Sequence, residues 1–398
     1  MKKVNKYLLL TMMLGLLLPL LAACGSSSGL GGVGDAIYRG EEEDPYPRYA
    51  RVTYIYSGSV ADGTDPMVNI FELGRKETER TLGIETNYIE NVLVQEFQDA
   101  VDIAIASGSN MIVAADSRFS GAAVLAARNN INTKFVSFGA SDNSYNLASV
   151  QPLLYQAAYV NGFTAAFNTK SSKIGIVADP AMYNVYGIIN AFSLGVRDLP
   201  NSRIDMYLNW ARSANISDTQ NAINDLVEQG CDIVLVYQLN DFGIRKCNEL
   251  GLTVVGFAYN MPELAPDTYL TGMYLNLNTF LIDKSRGIMY DTFSGDLTRG
   301  GLKHQQVRLV MLNESLAVDG TKELTDAMMD YVSEDLAPVF GGEIRDTNDY
   351  VRVRNGEYMI TDQIYRIDWL VNTIVRQQNF STQYIEEDLV HSDLIVKS

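Results

Sequence analysis

Lys173-Ile174-Gly175-Ile176-Val177 begins a repeating pattern that specifies one class of fold. It is a short β-branched run, and Val185 to Leu199 follows it with apolar residues at helical spacing. The pattern then recurs. Ile204-Asp205-Met206-Tyr207-Leu208, Asp232-Ile233-Val234-Leu235-Val236 and Thr253-Val254-Val255-Gly256-Phe257 read as strands, separated by helices over Asp218 to Gln229 and Asp241 to Leu250. Short apolar runs alternating with amphipathic segments are the pattern of βαβ units in a parallel sheet.

The same rhythm precedes this stretch. Val52-Thr53-Tyr54-Ile55-Tyr56, Thr86-Asn87-Tyr88-Ile89, Met111-Ile112-Val113-Ala114 and Lys134-Phe135-Val136-Ser137-Phe138 read as strands, with helices over Val68 to Leu82, Phe97 to Ser107 and Gly121 to Asn129. Phe97, Val101, Ala104 and Ile105 share a helical face and read as core. Gly83, Gly230 and Gly251 each follow a predicted helix, as C-terminal caps do. Two successive series without a block of strands alone predict an α/β fold of two Rossmann-like lobes with parallel sheets, joined by a multi-strand hinge.

Beyond these series come a strand at Tyr269 to Tyr274, a helix around Asn278 to Phe293 and a strand near Gln306 to Val310. That is too little chain for a third lobe, so it returns to complete the first two. The expected division is 50–152 with about 270–302 for lobe one, and 153–269 with about 303–398 for lobe two. Thr321 to Tyr331 reads as a helix. Thr361 to Val375 does too, with Ile364, Ile367, Leu370, Val371 and Ile374 at helical spacing.

At the other end, Lys2, Lys3 and Lys6 precede an apolar run from Leu8 to Leu20, which leads into Leu21-Ala22-Ala23-Cys24. That order of charge, apolar run and small residues is a secretory leader. A plain transmembrane anchor is the alternative, but the run is shorter than the roughly 20 apolar residues of a spanning helix and holds Pro19. Leu-Ala-Ala-Cys resembles the bacterial lipobox, which implies a leader over 1–23, a diacylated Cys24 and a protein held by lipid on a cell membrane, outside the cytoplasm. Residues 24–49, rich in Gly, Ser and Glu, read as a flexible tether.

The chain has 398 residues, 47% of them hydrophobic and 20% charged, which is globular composition. A formal net charge of -17 disfavours nucleic acid as a partner. With Cys24 carrying lipid, Cys231 and Cys247 remain, as buried thiols or as a disulfide. Only His304 and His391 are present, too few for histidine-based metal or triad chemistry, and no cofactor or metal is expected.

Several motifs, taken in order, resemble the basic membrane protein family. Tyr54-Ile55-Tyr56-Ser57-Gly58-Ser59-Val60-Ala61-Asp62-Gly63 with Glu72-Leu73-Gly74-Arg75-Lys76 is similar to its opening motif. Tyr155-Gln156-Ala157-Ala158-Tyr159-Val160-Asn161-Gly162 resembles its lobe-crossing helix, and Ile189-Asn190-Ala191-Phe192-Ser193-Leu194-Gly195 the start of its second lobe. Gly300-Gly301-Leu302-Lys303 is similar to its crossover. Val351-Arg352-Val353-Arg354-Asn355-Gly356-Glu357 with Ile367-Asp368-Trp369-Leu370-Val371 resembles the C-terminal end of one subfamily. The resemblance implies a type I periplasmic-binding-protein fold and a substrate-binding lipoprotein of an ABC importer. Its implied partners are a purine nucleoside or nucleobase and an ABC permease. Relatives carry a purine-stacking aromatic soon after the Asp-Gly of the first loop; here Thr64-Asp65-Pro66-Met67 follows, and the first aromatic is Phe71. A surface sensor using the same cleft is a second reading. A nucleoside-processing hydrolase is a third, against which stands the lack of an Asp-rich metal cluster, a Gly-x-Ser-x-Gly elbow or a Cys-His pair.

Ligands of open parallel sheets bind beyond the carboxyl ends of the strands. That rule selects Ser57, Asp62, Asp65, Asp116, Ser117, Phe119, Tyr183, Trp210, Gln238, Asn240, Tyr259 and Asn260 as ligand-binding candidates, a mixture of rings, carboxylates and amides suited to a flat polar heterocycle. Tyr183, Trp210, Phe119 or Tyr259 would supply the stacking face. Each has a structural alternative: Asp62 as a fix for the Gly63 turn, Asp116 as a helix cap, Arg118 beside it as the partner of a surface acid, Trp210 as core.

Overall fold

β-Branched and aromatic runs build two sheets whose strands are covered from both sides. The computed structural model describes residues 49–200, 202–257, 261–334, 336, 338–378 and 397. The leader, Cys24 and nearly all of the tether lie outside the described residues, as do Tyr259 and Asn260.

The first sheet is laid down by β1 (Arg51–Ile55), β2 (Glu85–Ile89), β3 (Met111–Ala114), β4 (Lys134–Phe138) and β5 (Leu147–Val150), alternating with α1 (Pro66–Leu82), α2 (Phe97–Ala106) and α3 (Ser120–Asn129). All five strands are parallel, in the order β2-β1-β3-β4-β5. Every residue of β3 and β5 is buried, the pattern of a parallel sheet with both faces covered.

α4 (Leu154–Asn168) carries the chain to the second sheet, where β6 (Lys173–Ala178), β7 (Asp205–Trp210), β8 (Ile233–Tyr237) and β9 (Thr253–Phe257) alternate with α5 (Val185–Arg197), α6 (Ile216–Glu228) and α7 (Phe242–Leu250). β10 (Tyr269–Leu275) continues this sheet beside β9, giving the order β7-β6-β8-β9-β10. α4 and α5 meet at two glycines. A Cβ on Gly162 would overlap the Phe192 carbonyl, and one on Gly195 the Tyr159 carbonyl.

The chain then returns. α8 (Asn278–Met289) packs on α1, with Leu281 seated against Gly74, and β11 (Leu297–Thr298) adds to β5 in the first sheet. β12 (Val307–Val310) runs antiparallel to β10, and α9 (Thr321–Ser333) follows. The remaining described elements are the hairpin of β13 (Ile344–Arg345) and β14 (Val351–Val353), the short α10 (Thr361–Ile364), and β15 (Ile374–Gln378), which pairs in parallel with β7.

Three crossings therefore join the lobes: β5 to α4, β10 to α8, and β11 to β12. They are tied by backbone bonds from Gln151 N to Thr298 O (2.9 Å), Leu153 N to Gly300 O (3.0 Å) and Asn276 N to Gln306 O (2.9 Å). Gln156 Oε1 accepts from Leu302 N at 3.0 Å, so two of the family-like motifs meet at this hinge.

Two sequence expectations change. The second crossing lies after Leu275, not near 270, because strand β10 belongs to the second sheet. The helix expected over Thr361 to Val375 is helical only at Thr361–Ile364. Its apolar residues are buried as expected, but along an irregular path. Between local turns the segment bonds to its neighbours: Asn190 Nδ2 donates to Trp369 O (2.9 Å), Val371 N to Asn190 Oδ1 (3.0 Å) and Thr347 N to Leu370 O (2.9 Å). Cys231 and Cys247 are free and buried, and burial pushes both thiols up to about 12. No helix of the described residues is long and apolar enough to cross a membrane.

Candidate functional site

Both sheets share the 2-1-3-4-5 order, so each has a switch point where strand order reverses, between β1 and β3 and between β6 and β8. Of the loops after those four strands, the ones after β3 and β6 line one cavity between the lobes.

On the first lobe, the loops after β1 and β3 form one charged cluster. Ser57 Oγ donates to Asp116 Oδ2 at 2.6 Å. Arg118 gives Nη2 to Asp116 Oδ2 (2.7 Å) and to Ser57 Oγ (2.7 Å), and its backbone N–H to Asp116 Oδ1 (2.8 Å). Asp116 is thus a cap and an ion-pair partner at once, and it turns the Arg118 guanidinium to the cleft edge. Next to this cluster, Asp65 caps α1 by accepting from Met67 N (2.8 Å) and Val68 N (3.2 Å), with Pro66 at the first helical position. Burial pushes its carboxyl up to about 6; the cap N–H groups oppose the rise and the nearby Asp116 adds to it.

On the second lobe, Asp179 follows β6 and accepts from Ala181 N (2.8 Å) and Ser213 N (2.5 Å), fixing the loop that carries Tyr183. Tyr237 Oη donates to the Tyr183 carbonyl at 2.7 Å. The Tyr183 ring reaches across the cleft, with its centroid 4.7 Å from that of Phe138 at the end of β4 and 5.7 Å from that of Tyr365.

These groups surround a cavity of about 430 Å³, within the range of small-molecule sites. Ser117, Arg118, Gly139, Ser141 and Gln151 line it from the first lobe, Met182, Tyr183 and Asn184 from the second, and Asp362, Tyr365 and Arg366 from the C-terminal segment. Two tyrosine rings with charged and amide groups around them can hold a flat ring and read its edge.

Of the sequence candidates, Ser117 and Tyr183 line this cavity, and Ser57, Asp65 and Asp116 form the cluster behind Arg118. The others sit elsewhere. Phe119 is fully buried in the first lobe, its ring centroid 4.9 Å from that of Phe97, and so presents no face to a ligand. Gln238 and Asn240 are buried in loop-to-loop bonds: Gln238 Nε2 donates to Ala211 O (3.1 Å) and Thr219 Oγ1 (2.9 Å), and Asn240 holds Ser213 O and Phe242 N. Trp210 packs on Tyr186 with centroids 5.6 Å apart. Asp62 is exposed in the turn that Gly63 completes at φ 62°. Arg118, Gln151, Asp362, Tyr365 and Arg366 were not selected. Arg118 lies between the candidates Ser117 and Phe119, whereas the last three fall inside the expected C-terminal helix.

Comparison with known proteins agrees with this architecture. A purine-binding protein of Brucella abortus (strain 2308) is 24% identical over 240 residues, covering 59% of this chain and 68% of that protein. A solute-binding protein of an ABC transporter system from Aeropyrum pernix K1 superposes with a TM-score of 0.64 at 13% identity, over 75% of this chain and 93% of that one. Another from Conexibacter woesei DSM 14684 gives 0.60 at 16% identity, over 72% and 97%. Residues 50–335 match the family model described as ABC transporter substrate-binding protein, PnrA-like. With that match spanning most of the chain, and with two parallel-sheet lobes on either side of one cavity, the protein belongs to the PnrA-like (Bmp) family of ABC transporter substrate-binding proteins.

Proposed function

We propose that the protein captures a purine nucleoside or nucleobase in the interlobe cleft, outside the cytoplasm, and presents it to an ABC permease while a diacylated Cys24 holds it at the membrane. The observation that carries this reading is the cavity beside Arg118 and Tyr183, which takes its walls from both lobes. Ring stacking comes from Tyr183 and Tyr365, in place of the first-loop aromatic that relatives carry. Support for the ligand class comes from the purine-binding Brucella relative and from a cavity volume that suits a compact heterocycle. Binding energy drives closure of the lobes, and no bond is made or broken.

Titration calorimetry with guanosine, inosine, hypoxanthine, adenosine and adenine tests the ligand class. At least one is expected to bind more tightly than about 100 μM, roughly -5.5 kcal/mol. Binding of none of them at that level removes the purine assignment. Release of free base or sugar at about 1 per second or faster removes the assignment as a binder without turnover.

A further inference from the structure

The family match ends at residue 335, yet one side of the cavity is built by Asp362, Tyr365 and Arg366. These groups arrive on α10 and the turn after it, outside the βαβ repeats. The segment is pinned to the hinge. Tyr365 Oη donates to the carbonyls of Gln151 (3.0 Å) and Pro152 (2.9 Å) on the first crossing. Asp362 pairs with Arg299 on the third crossing, and Ile364 and Ile367 are buried. Its backbone is thereby held while the Asp362 and Arg366 side chains stay exposed.

The hydrogen-bonding character of this wall is specific. A guanidinium only donates, and a carboxylate only accepts. Arg118 already gives to Asp116 and Ser57. Among the described residues the Arg366 guanidinium has no hydrogen-bond or ion-pair partner, so its fork is available. Asp362 and Arg366 both line the cavity, Asp362 from α10 and Arg366 from the turn after it, which gives one wall an acceptor and a two-pronged donor.

We propose that this C-terminal segment makes the cleft selective for 6-oxopurines over 6-aminopurines, with Arg366 donating to O6 and N7 and Asp362 accepting from the adjacent ring N–H. The proposal rests on the purine reading given above. A guanidinium fork fits the O6/N7 pair of an oxopurine edge. A 6-amino group would instead face the fork donor to donor and leave both unpaired. The ring N1–H of an oxopurine is a donor, and Asp362 keeps lone pairs for it beyond the contact with Arg299.

Calorimetric titration of the wild type, Arg366→Ala and Asp362→Asn with guanosine, adenosine, hypoxanthine and adenine decides it, with thermal melts confirming that both variants fold. The wild type is expected to bind guanosine at least tenfold tighter than adenosine, and hypoxanthine at least tenfold tighter than adenine. Arg366→Ala is expected to bring both ratios to within about twofold of one, and Asp362→Asn to lower them. Equal affinity for oxo and amino purines in the wild type overturns the selectivity while leaving the purine reading intact, and so does an Arg366→Ala protein that keeps the wild-type ratios. Binding of none of the four overturns both together.

Discussion

Asp65 holds two positions at once, the N-cap of α1 and the flank of the Asp116–Arg118 pair at the cleft. Its carboxyl titrates near 6 in the folded protein and near 4 in the unfolded chain. Between those values the folded state binds more protons than the unfolded one, so the Asp65 contribution to stability is full below about 4 and falls as pH rises to about 6. Asn caps helices as well as Asp and carries no charge. Asp65→Asn is therefore expected to flatten stability across that window, measured by denaturant melts at a series of pH values, whereas a profile identical to wild type would contradict the assignment. Tyr183→Ala is expected to weaken ligand binding by about 1–3 kcal/mol, the scale of losing a stacking face under a base, and calorimetry reads it directly. At this scale the sequence was only partly legible. The strand-end rule names loops, and it cannot tell Tyr183, which turns to the cleft, from Gln238 and Asn240, which turn inward to tie their own loops together. Phe119 misleads for a related reason: its aromatic character serves the Phe97 packing behind the sheet.

The elements were more legible, because their evidence repeats along the chain. Strands such as Ile233–Tyr237 are buried at every position, and their β-branched content declares it without alternation. The C-terminal segment escaped the same reasoning. Helical spacing of Ile364, Ile367, Leu370, Val371 and Ile374 says only that these residues are buried; the partners that make an irregular path affordable, such as Asn190, are distant in sequence. The contact of α4 with α5 carries a sharper expectation. Gly162 and Gly195 let each backbone touch the other helix, and a side chain at either position has no space. Gly195→Val is expected to destabilise the protein by about 1–3 kcal/mol or more, as overpacking of a tight contact does. An unchanged denaturation midpoint would show that the helices can separate without cost.

On the scale of the whole molecule, three crossings tie the lobes and the C-terminal segment leans on two of them, through Tyr365 to Gln151 and Pro152 and through Asp362 to Arg299. Cavity, hinge and C-terminal segment thus share one set of contacts. The proposed lipid attachment at Cys24 belongs to a separate part of the chain. Cys24→Ala is expected to fold and bind as the wild type does while losing palmitate labelling and membrane association; a variant still labelled and still sedimenting with membranes would contradict the lipobox reading. Lobe architecture could be read from the βαβ rhythm alone, whereas the cavity lining could not, since it depends on side chains gathered from residues 117 to 366. The most direct measurement is mass spectrometry of small molecules released on denaturing the purified protein, set against the same preparation of a Tyr183→Ala variant. The expected result is a purine nucleoside or nucleobase, near one per protein in the wild type and depleted in the variant. A retained molecule of another class, or a purine held equally by both proteins, would contradict a purine bound in this cleft.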